Sequence, residues 1–240
     1  MDILYVVMPA YNEEENIEDV VKQWYPVLEG KDPASRLVIA DSGSVDKTHE
    51  ILENFKATTY PQLEILSDTG KQHGPKVIAL YDYAIKQGAD YVFQTDSDGQ
   101  TNPDEFDAFW QLRSAYKGIF GHRQVRGDGK SRAFVEKVVC ALVKHYFKVK
   151  VPDANAPFRL MNTQTLKKYL YKLPPDYNLP NIMMTAYFAR YGEEITFKVV
   201  TFKPRQGGVN SINIKRIVKI GWNALADFRR FRKDMNNDLK

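Results

Sequence analysis

Tyr91-Val92-Phe93-Gln94-Thr95-Asp96-Ser97-Asp98-Gly99-Gln100 is the stretch around which the chain is organised. Its apolar start reads as a buried strand, and Gly99 with Pro103 marks the turn that ends it. Two carboxylates at i and i+2, followed by the Gln100 amide, give the strand end a hard, oxygen-rich donor set. Mg²⁺ or Mn²⁺ prefers such donors and usually shares its coordination with substrate phosphates. The same residues also suit an acidic turn whose Asp side chains cap their own backbone. An EF-hand loop is excluded, because Gly99 falls too early and the closing Glu is missing.

Upstream the chain alternates strand and helix patterns. Ile3-Leu4-Tyr5-Val6-Val7-Met8 is an apolar run of buried-strand length that Pro9 is expected to stop. Residues 13–28 then show helical spacing through Ile17, Val20, Val21 and Trp24, with acids in the first turns. Leu37-Val38-Ile39-Ala40 and Leu63-Glu64-Ile65-Leu66 read as two more strands. Between them Ser44 or Asp46 can cap a helix carrying Ile51, Leu52 and Phe55. A further helix over about 76–87 leads into Tyr91. Such alternation predicts an α/β fold, a mostly parallel sheet flanked by helices. Ligands of open sheets bind beyond the carboxyl ends of the strands. The polar stretches 9–13, 41–44 and 96–100 all lie at such ends, so they are expected to converge. No Gly-x-Gly-x-x-Gly follows any strand, which argues against a dinucleotide-binding dehydrogenase.

Composition sets outer bounds. At 240 residues and 43% hydrophobic, the chain can bury one substantial core. It has no apolar run of about 18 residues and no secretory signal pattern, and its single cysteine, Cys140, excludes an internal disulfide framework. A cytoplasmic setting is the expectation. Cys140 lies in an apolar pattern and reads as a packed small hydrophobe. From Phe202 onward there are ten Lys/Arg against three Asp, which leaves 24 basic and 27 acidic residues before it. A basic tail on a slightly acidic body implies an anionic partner for the tail.

Val6-Val7-Met8-Pro9-Ala10-Tyr11-Asn12-Glu13-Glu14-Glu15-Asn16-Ile17 resembles the opening of family 2 glycosyltransferases with the GT-A fold. Asp41-Ser42-Gly43-Ser44-Val45-Asp46-Lys47-Thr48 resembles that family's Asp-Asp-Gly-Ser segment, with Ser42 in place of the second acid. Asp96-Ser97-Asp98 matches its Asp-x-Asp metal motif. The three come in the family's order, and the likeness runs over about 1–220. It implies that Pro9, Tyr11, Glu13 and Asp41 contact the nucleotide and Asp96 the ribose and diphosphate of a UDP- or GDP-sugar. It also implies that Asp98 and Gln100 hold Mg²⁺ or Mn²⁺. Independently, a divalent ion suits this chemistry because breaking a sugar–diphosphate bond leaves negative charge on the leaving group. A glycosidase would instead need two carboxyls flanking the bond.

In the second half, Gly118-Ile119-Phe120-Gly121-His122-Arg123 reads as a strand ending on a cation. Arg126, Lys130 and Arg132 follow among glycines, a pattern for either an anion clamp or a solvated loop. The segment resembles the acceptor region of dolichyl-phosphate mannose synthase-like polyprenyl-phosphate glycosyltransferases. By that likeness Arg123, Ser131 and Arg132 bind a lipid phosphate, with Glu136 where a serine is usual. Val151-Pro152-Asp153-Ala154-Asn155-Ala156-Pro157-Phe158-Arg159 resembles the family's active-site stretch and makes Asp153 a positioning group or base, although a turn-forming Asp reads as well. Catalytic expectations thus fall on Asp98, Asp153 and Arg123. The helix over 181–188 has no carboxylate, where the resemblance implies one, as general base, in members that glycosylate a sugar hydroxyl. A sugar hydroxyl needs a base as its proton leaves, whereas an ionised phosphate does not, so the missing acid points to a phosphate nucleophile. Arg205, in a stretch resembling the family's Arg-x-x-Gly-x-Ser loop, is expected to neutralise the leaving group, and the adjacent glycines permit closure.

From Ile214 apolar residues recur at helical spacing with cations between them, the pattern of a basic amphipathic helix at a membrane interface. The same pattern fits a helix packed on the body or a contact in a homo-oligomer. The domain expectation is a GT-A unit over 1–211, with nucleotide half 1–100 and acceptor half 101–211, and a tail helix over 212–240. The expected function is metal-dependent, inverting sugar transfer to a polyprenyl-phosphate-like acceptor, peripheral on the cytosolic membrane face. Transfer to a hydroxyl of a polysaccharide or lipid-linked saccharide, with Asp153 as base, is the alternative. A non-catalytic nucleotide-binding or scaffolding protein is the third. No aromatic–basic platform supports nucleic acid as a partner.

Overall fold

The computed structural model describes residues 1–124, 130–204 and 214–239, and their side chains apart from 130–132 and 214–223. In chain order the strands are β1 (Leu4–Ala10), β2 (Arg36–Asp41), β3 (Leu63–Leu66), β4 (Tyr91–Gln94), β5 (Gly118–His122), β6 (Arg159–Asn162) and β7 (Ile195–Val199). The helices are α1 (Ile17–Trp24), α2 (Thr48–Thr58), α3 (His73–Lys86), α4 (Phe106–Trp110), α5 (Lys130–Phe147), α6 (Thr163–Leu170), α7 (Pro180–Arg190) and α8 (Ile214–Asp238). The strands form one sheet in the order β3-β2-β1-β4-β6-β5-β7. Only β6 runs antiparallel to its neighbours, β4 and β5. The expected mostly parallel α/β fold is the observed one.

Alternation along β1 divides the core in two. Leu4, Val6 and Met8 pack with Trp24, Leu52 and Phe106 in the layer of α1, α2 and α4. Tyr5 and Val7 face the other way, into the layer of α3, α5, α6 and α7. Every residue of β1 is buried, as a strand covered on both faces requires.

Two local expectations are corrected, and one strand is added. Pro9 does not stop β1, which continues to Ala10, with Pro9 beside Ala40 and Ala10 beside Asp41 of β2. Helix α1 covers only Ile17–Trp24, and a 3-10 turn with Pro26 in its first turn follows over Tyr25–Leu28. Residues 159–162 form an additional strand, β6, whose first residue is a fully buried arginine.

The tail helix settles against the body over its described part. Ala224, Phe228, Phe231 and Met235 of α8 are buried, with the Phe228 ring 5.3 Å from Phe147 and the Phe231 ring 5.3 Å from Tyr177. From Ala224 onward the apolar stripe therefore faces protein, and the membrane-interface expectation does not hold for that part. Side chains of 214–223 lie outside the described residues. Among the described residues no helix is long and apolar enough to cross a membrane.

Candidate active site

Strand order places a crevice between β1 and β4. The chain winds outward from β1 to β2 and β3, then returns to β4 on the opposite side of β1. Connections leave in opposite directions there, the switch point at which open α/β sheets bind ligands. The turn after β4 is fastened to this crevice. Ser97 donates to the Pro9 carbonyl at 2.8 Å, Thr95 and Thr101 hydroxyls meet at 2.7 Å, and Gly99 takes a left-handed φ of 71°. The Lys203 backbone N–H donates to the Gln100 carbonyl at 2.8 Å and ties down the far side.

The loops after β1 and β2 are stitched together by short polar side chains. Asn12 N–H donates to Ser44 Oγ and Val45 N–H to Asn12 Oδ1, each at 2.9 Å. Glu13 N–H donates to Thr48 Oγ1, while its buried carboxylate accepts from Asn16 Nδ2, both at 2.8 Å. Asp41 is buried, accepts from Ser44 Oγ and lies 3.2 Å from His49 Nδ1. Tyr11 remains 39% exposed, so its ring is open to a ligand. The structure therefore brings Pro9, Tyr11, Glu13, Asp41, Asp96, Asp98 and Gln100 to the same ends of three adjoining strands.

The donor set after β4 is compatible with a divalent ion. Gln100 is buried and its Nε2 donates to the Lys203 carbonyl at 2.8 Å, which turns Oε1 into the acceptor available to a ligand. Asp98 Oδ1 accepts from Gln100 N–H at 3.2 Å, and an ionised carboxylate is a hard oxygen donor of the kind such ions take. Asp96 Oδ1 accepts weakly from Gln94 Nε2 and stands 3.3 Å from His73 Nε2. Among the described residues no group of three or more His, Cys, Asp or Glu is arranged as a metal cage. A carboxylate plus an amide oxygen, completed by substrate phosphates, is how Mg²⁺-type sites are usually built, so the residues present fit.

Lys76, on the first turns of α3, belongs to this site and the sequence reading passed over it. It is 1% exposed, its Nζ donates to the Ala10 carbonyl, and it lies 5.3 Å from the centre of the Tyr11 ring. Burial pushes its ammonium down to about 8, against the opposing pull of Asp41. A signal was present: Lys76 shares the buried stripe of α3 with Leu80 and Ala84, and a lysine on an apolar stripe has a task. His49 and His73 were likewise missed, for want of any local motif. Lys76 Nζ lies over the Tyr11 ring, so Lys76→Met is expected to raise the KM for a nucleotide-sugar several-fold, the worth of a lost cation–ring contact at the site. Parental donor affinity should be full below pH 8 and fall as pH rises and the ammonium loses its proton. Lys76→Met should lack that alkaline fall, which a pH series of KM would read.

On the side where an acceptor is expected, the described residues form a buried ion-pair cluster. Arg123 is 8% exposed, and its fork grips Asp153 through Nε at 2.8 Å and one terminal nitrogen at 2.9 Å. The same nitrogen reaches Glu136 of α5 at 3.3 Å. Burial alone would raise Asp153, but the hydrogen bonds and charge of Arg123 hold it down at about 2. Burial, then the Asp153 carboxylate, push Glu136 up against the pull of Arg123. The fork seats on Asp153 and only touches Glu136, so of the two acids Glu136 is the one on which protonation is favoured. A carboxylate held so low is a poor proton acceptor. Of the two roles expected for Asp153, positioning group or base, the low value favours the first, and in the structure Arg123 is engaged with Asp153.

Arg126 and Arg205 lie outside the described residues, as do the side chains of Lys130, Ser131 and Arg132. Cys140 fits its expectation: burial, with Glu136 beside it, pushes the thiol up to about 12. Asp153 also leads into a loop organised by Arg159, which is fully buried and donates to the carbonyls of Ala156 and Asn181.

A mostly parallel sheet with an oxygen-lined crevice at the β1–β4 switch point is that of a glycosyltransferase with the GT-A fold. Its likeness to a solved structure shows the same fold: glucosyl-3-phosphoglycerate synthase from Mycobacterium tuberculosis, in complex with Mn²⁺, UDP-glucose and glycerol 3-phosphate. The TM-score is 0.68 at 18% identity, covering 96% of this chain and 80% of that one. The family model for glycosyl transferase family 2 matches residues 5–170, and the chain belongs to that family. An uncharacterized glycosyltransferase from Synechocystis is 25% identical over 234 residues, 93% of this chain and 67% of the relative. Polyprenol monophosphomannose synthase from Mycolicibacterium smegmatis is 22% identical over 170 residues, 68% of this chain and 63% of the relative. The chain thus spans about two thirds of the length of these curated relatives.

Proposed function

We infer that the protein moves a sugar from a nucleoside diphosphate to a polyprenyl-phosphate-like acceptor, with inversion, at the cytosolic face of a membrane. An acceptor phosphate oxygen attacks the anomeric carbon, the bond from that carbon to the diphosphate oxygen breaks, and the electron pair leaves with the diphosphate. Tyr11 and Asp41 hold the nucleotide, with Lys76 setting Tyr11 in place. Asp98 and Gln100 would hold Mg²⁺ or Mn²⁺, and that ion, when bound, supplies positive charge to the departing diphosphate. Arg205, Ser131 and Arg132 are assigned to phosphate groups on the strength of the sequence resemblance.

One observation carries the choice of acceptor: the carboxylate nearest the expected reacting centre, Asp153, is gripped by Arg123 at 2.8 and 2.9 Å. Helix α7, beside it, is Pro-Asn-Ile-Met-Met-Thr-Ala-Tyr-Phe-Ala-Arg and carries no carboxylate. A hydroxyl acceptor would find no ready base there, whereas an ionised phosphate requires none. The polyprenol-phosphate relative points the same way. The test offers UDP- and GDP-sugars with polyprenyl phosphate or with lipid-linked saccharides, with and without Mn²⁺. Lipid-phosphate sugar, formed only with the ion, is the expected product. Transfer confined to saccharide hydroxyls would refute the reading.

A further inference from the structure

Helix α5 has an outward face that nothing among the described residues covers. Phe134 is 68% exposed and Val138 41% exposed, one helical turn apart. Ala141 and His145 continue the same face, and Lys137, Lys144 and Lys148 run along its flank at helical spacing. Every one of these residues is exposed, as is Lys150 just beyond the helix, and no exposed Asp or Glu occurs between 133 and 150. Ala141, Lys144, His145, Lys148, Val149 and Lys150 line one open groove. The opposite face of α5 is committed to the body: Val143 and Phe147 are buried, and Glu136 meets Arg123 beside Asp153.

We propose that this face of α5 docks the protein on an anionic lipid bilayer, with Phe134 and Val138 entering the interface and Lys137, Lys144 and Lys148 meeting the headgroups. Charge complementarity selects the occupant: a purely cationic flank beside exposed apolar side chains is what an acidic membrane surface accommodates. A nucleic acid would use the lysines but leave Phe134 unemployed, since no further exposed aromatic accompanies it on the helix. The site gives the docking a purpose, because the inner face of the same helix reaches the proposed acceptor side. That purpose rests on the lipid-phosphate reading, while the docking itself is measured without any transfer.

The test is flotation of the full chain with vesicles of phosphatidylcholine alone or of phosphatidylcholine with phosphatidylglycerol. The parent is expected to float with the anionic vesicles only and to be released by high salt. Each lysine near an acidic surface is worth roughly fivefold in partitioning. The triple variant Lys137→Glu, Lys144→Glu, Lys148→Glu is therefore expected to lose at least about a hundredfold, and Phe134→Ala a smaller amount, at unchanged melting temperature. A parent that ignores anionic vesicles, a triple variant that floats undiminished, or lysine-dependent binding to RNA without vesicle binding would each overturn the proposal. Docking without transfer to polyprenyl phosphate would leave the surface standing and remove the acceptor reading. Transfer in detergent by a protein that does not float would do the reverse.

Discussion

Asp98→Ala is expected to lower the release of nucleoside diphosphate from the donor by on the order of a thousandfold at saturating Mn²⁺. A Lewis-acidic ion on a departing phosphate contributes several kcal/mol, and about 1.4 kcal/mol is a factor of ten in rate. Asp98 is the carboxylate of the turn that Ser97 pins to Pro9 and Lys203 pins at Gln100. Its removal takes away charge and the bond from Gln100 N–H, while the Ser97 and Lys203 anchors do not run through its side chain. Gln100→Ala removes a neutral oxygen and a bond to Lys203, so a smaller loss is expected. Chelation of the parent should reproduce the Asp98→Ala rate, and added chelator should change the variant little. Turnover within a few-fold of the parent, with the same Mn²⁺ dependence, would show that this turn does not hold the ion.

The second large effect is on stability. Asp153→Asn leaves a buried guanidinium facing a neutral amide, and breaking such a pair from one side costs about 3 kcal/mol or more. At this chain length that is a fall in melting temperature of roughly 6–12 °C. The pH dependence separates the two acids of the cluster. Asp153 is held at about 2 in the folded protein, against roughly 4 for an unfolded aspartate. Its contribution is present above pH 4 and disappears as pH falls towards 2. Glu136 runs the other way: raised in the folded state, it binds a proton that the unfolded chain has released. Its contribution is present at acid pH and fades as pH rises through its folded value. Denaturant unfolding from pH 2 to 8 should show both limbs in the parent. Asp153→Asn should flatten the acid limb and Glu136→Gln the upper one. An Asp153→Asn protein as stable as the parent, with its acid limb intact, would mean that the grip on Arg123 contributes nothing.

What was legible in the sequence was local. The Asp96–Asp98 turn, the polar ends after β1 and β2, and the alternation that builds the sheet all follow from residues within a few positions of one another. Apolar runs bury as strands wherever the chain places them, and small polar residues with glycine turn the backbone at once. Strand β6 escaped because it is four residues long and opens with Arg159, a cation that only a cage of carbonyls makes burial-compatible. Lys76 escaped because its reason is the carbonyl of Ala10, 66 positions away.

By itself the sequence determined the fold class, the family and the oxygen-rich turn beyond β4, because hydrophobic period and turn chemistry are written in neighbouring residues. Only the tertiary structure decided what long-range pairing controls. It joined Arg123 to Asp153 across 30 positions and so favoured the positioning role over the base role for that carboxylate. It turned the apolar stripe of α8 onto Phe147 and Tyr177, and it left Phe134 of α5 outside. An amphipathic helix reads the same whether its apolar side meets protein or lipid, and the choice is made by what packs opposite it.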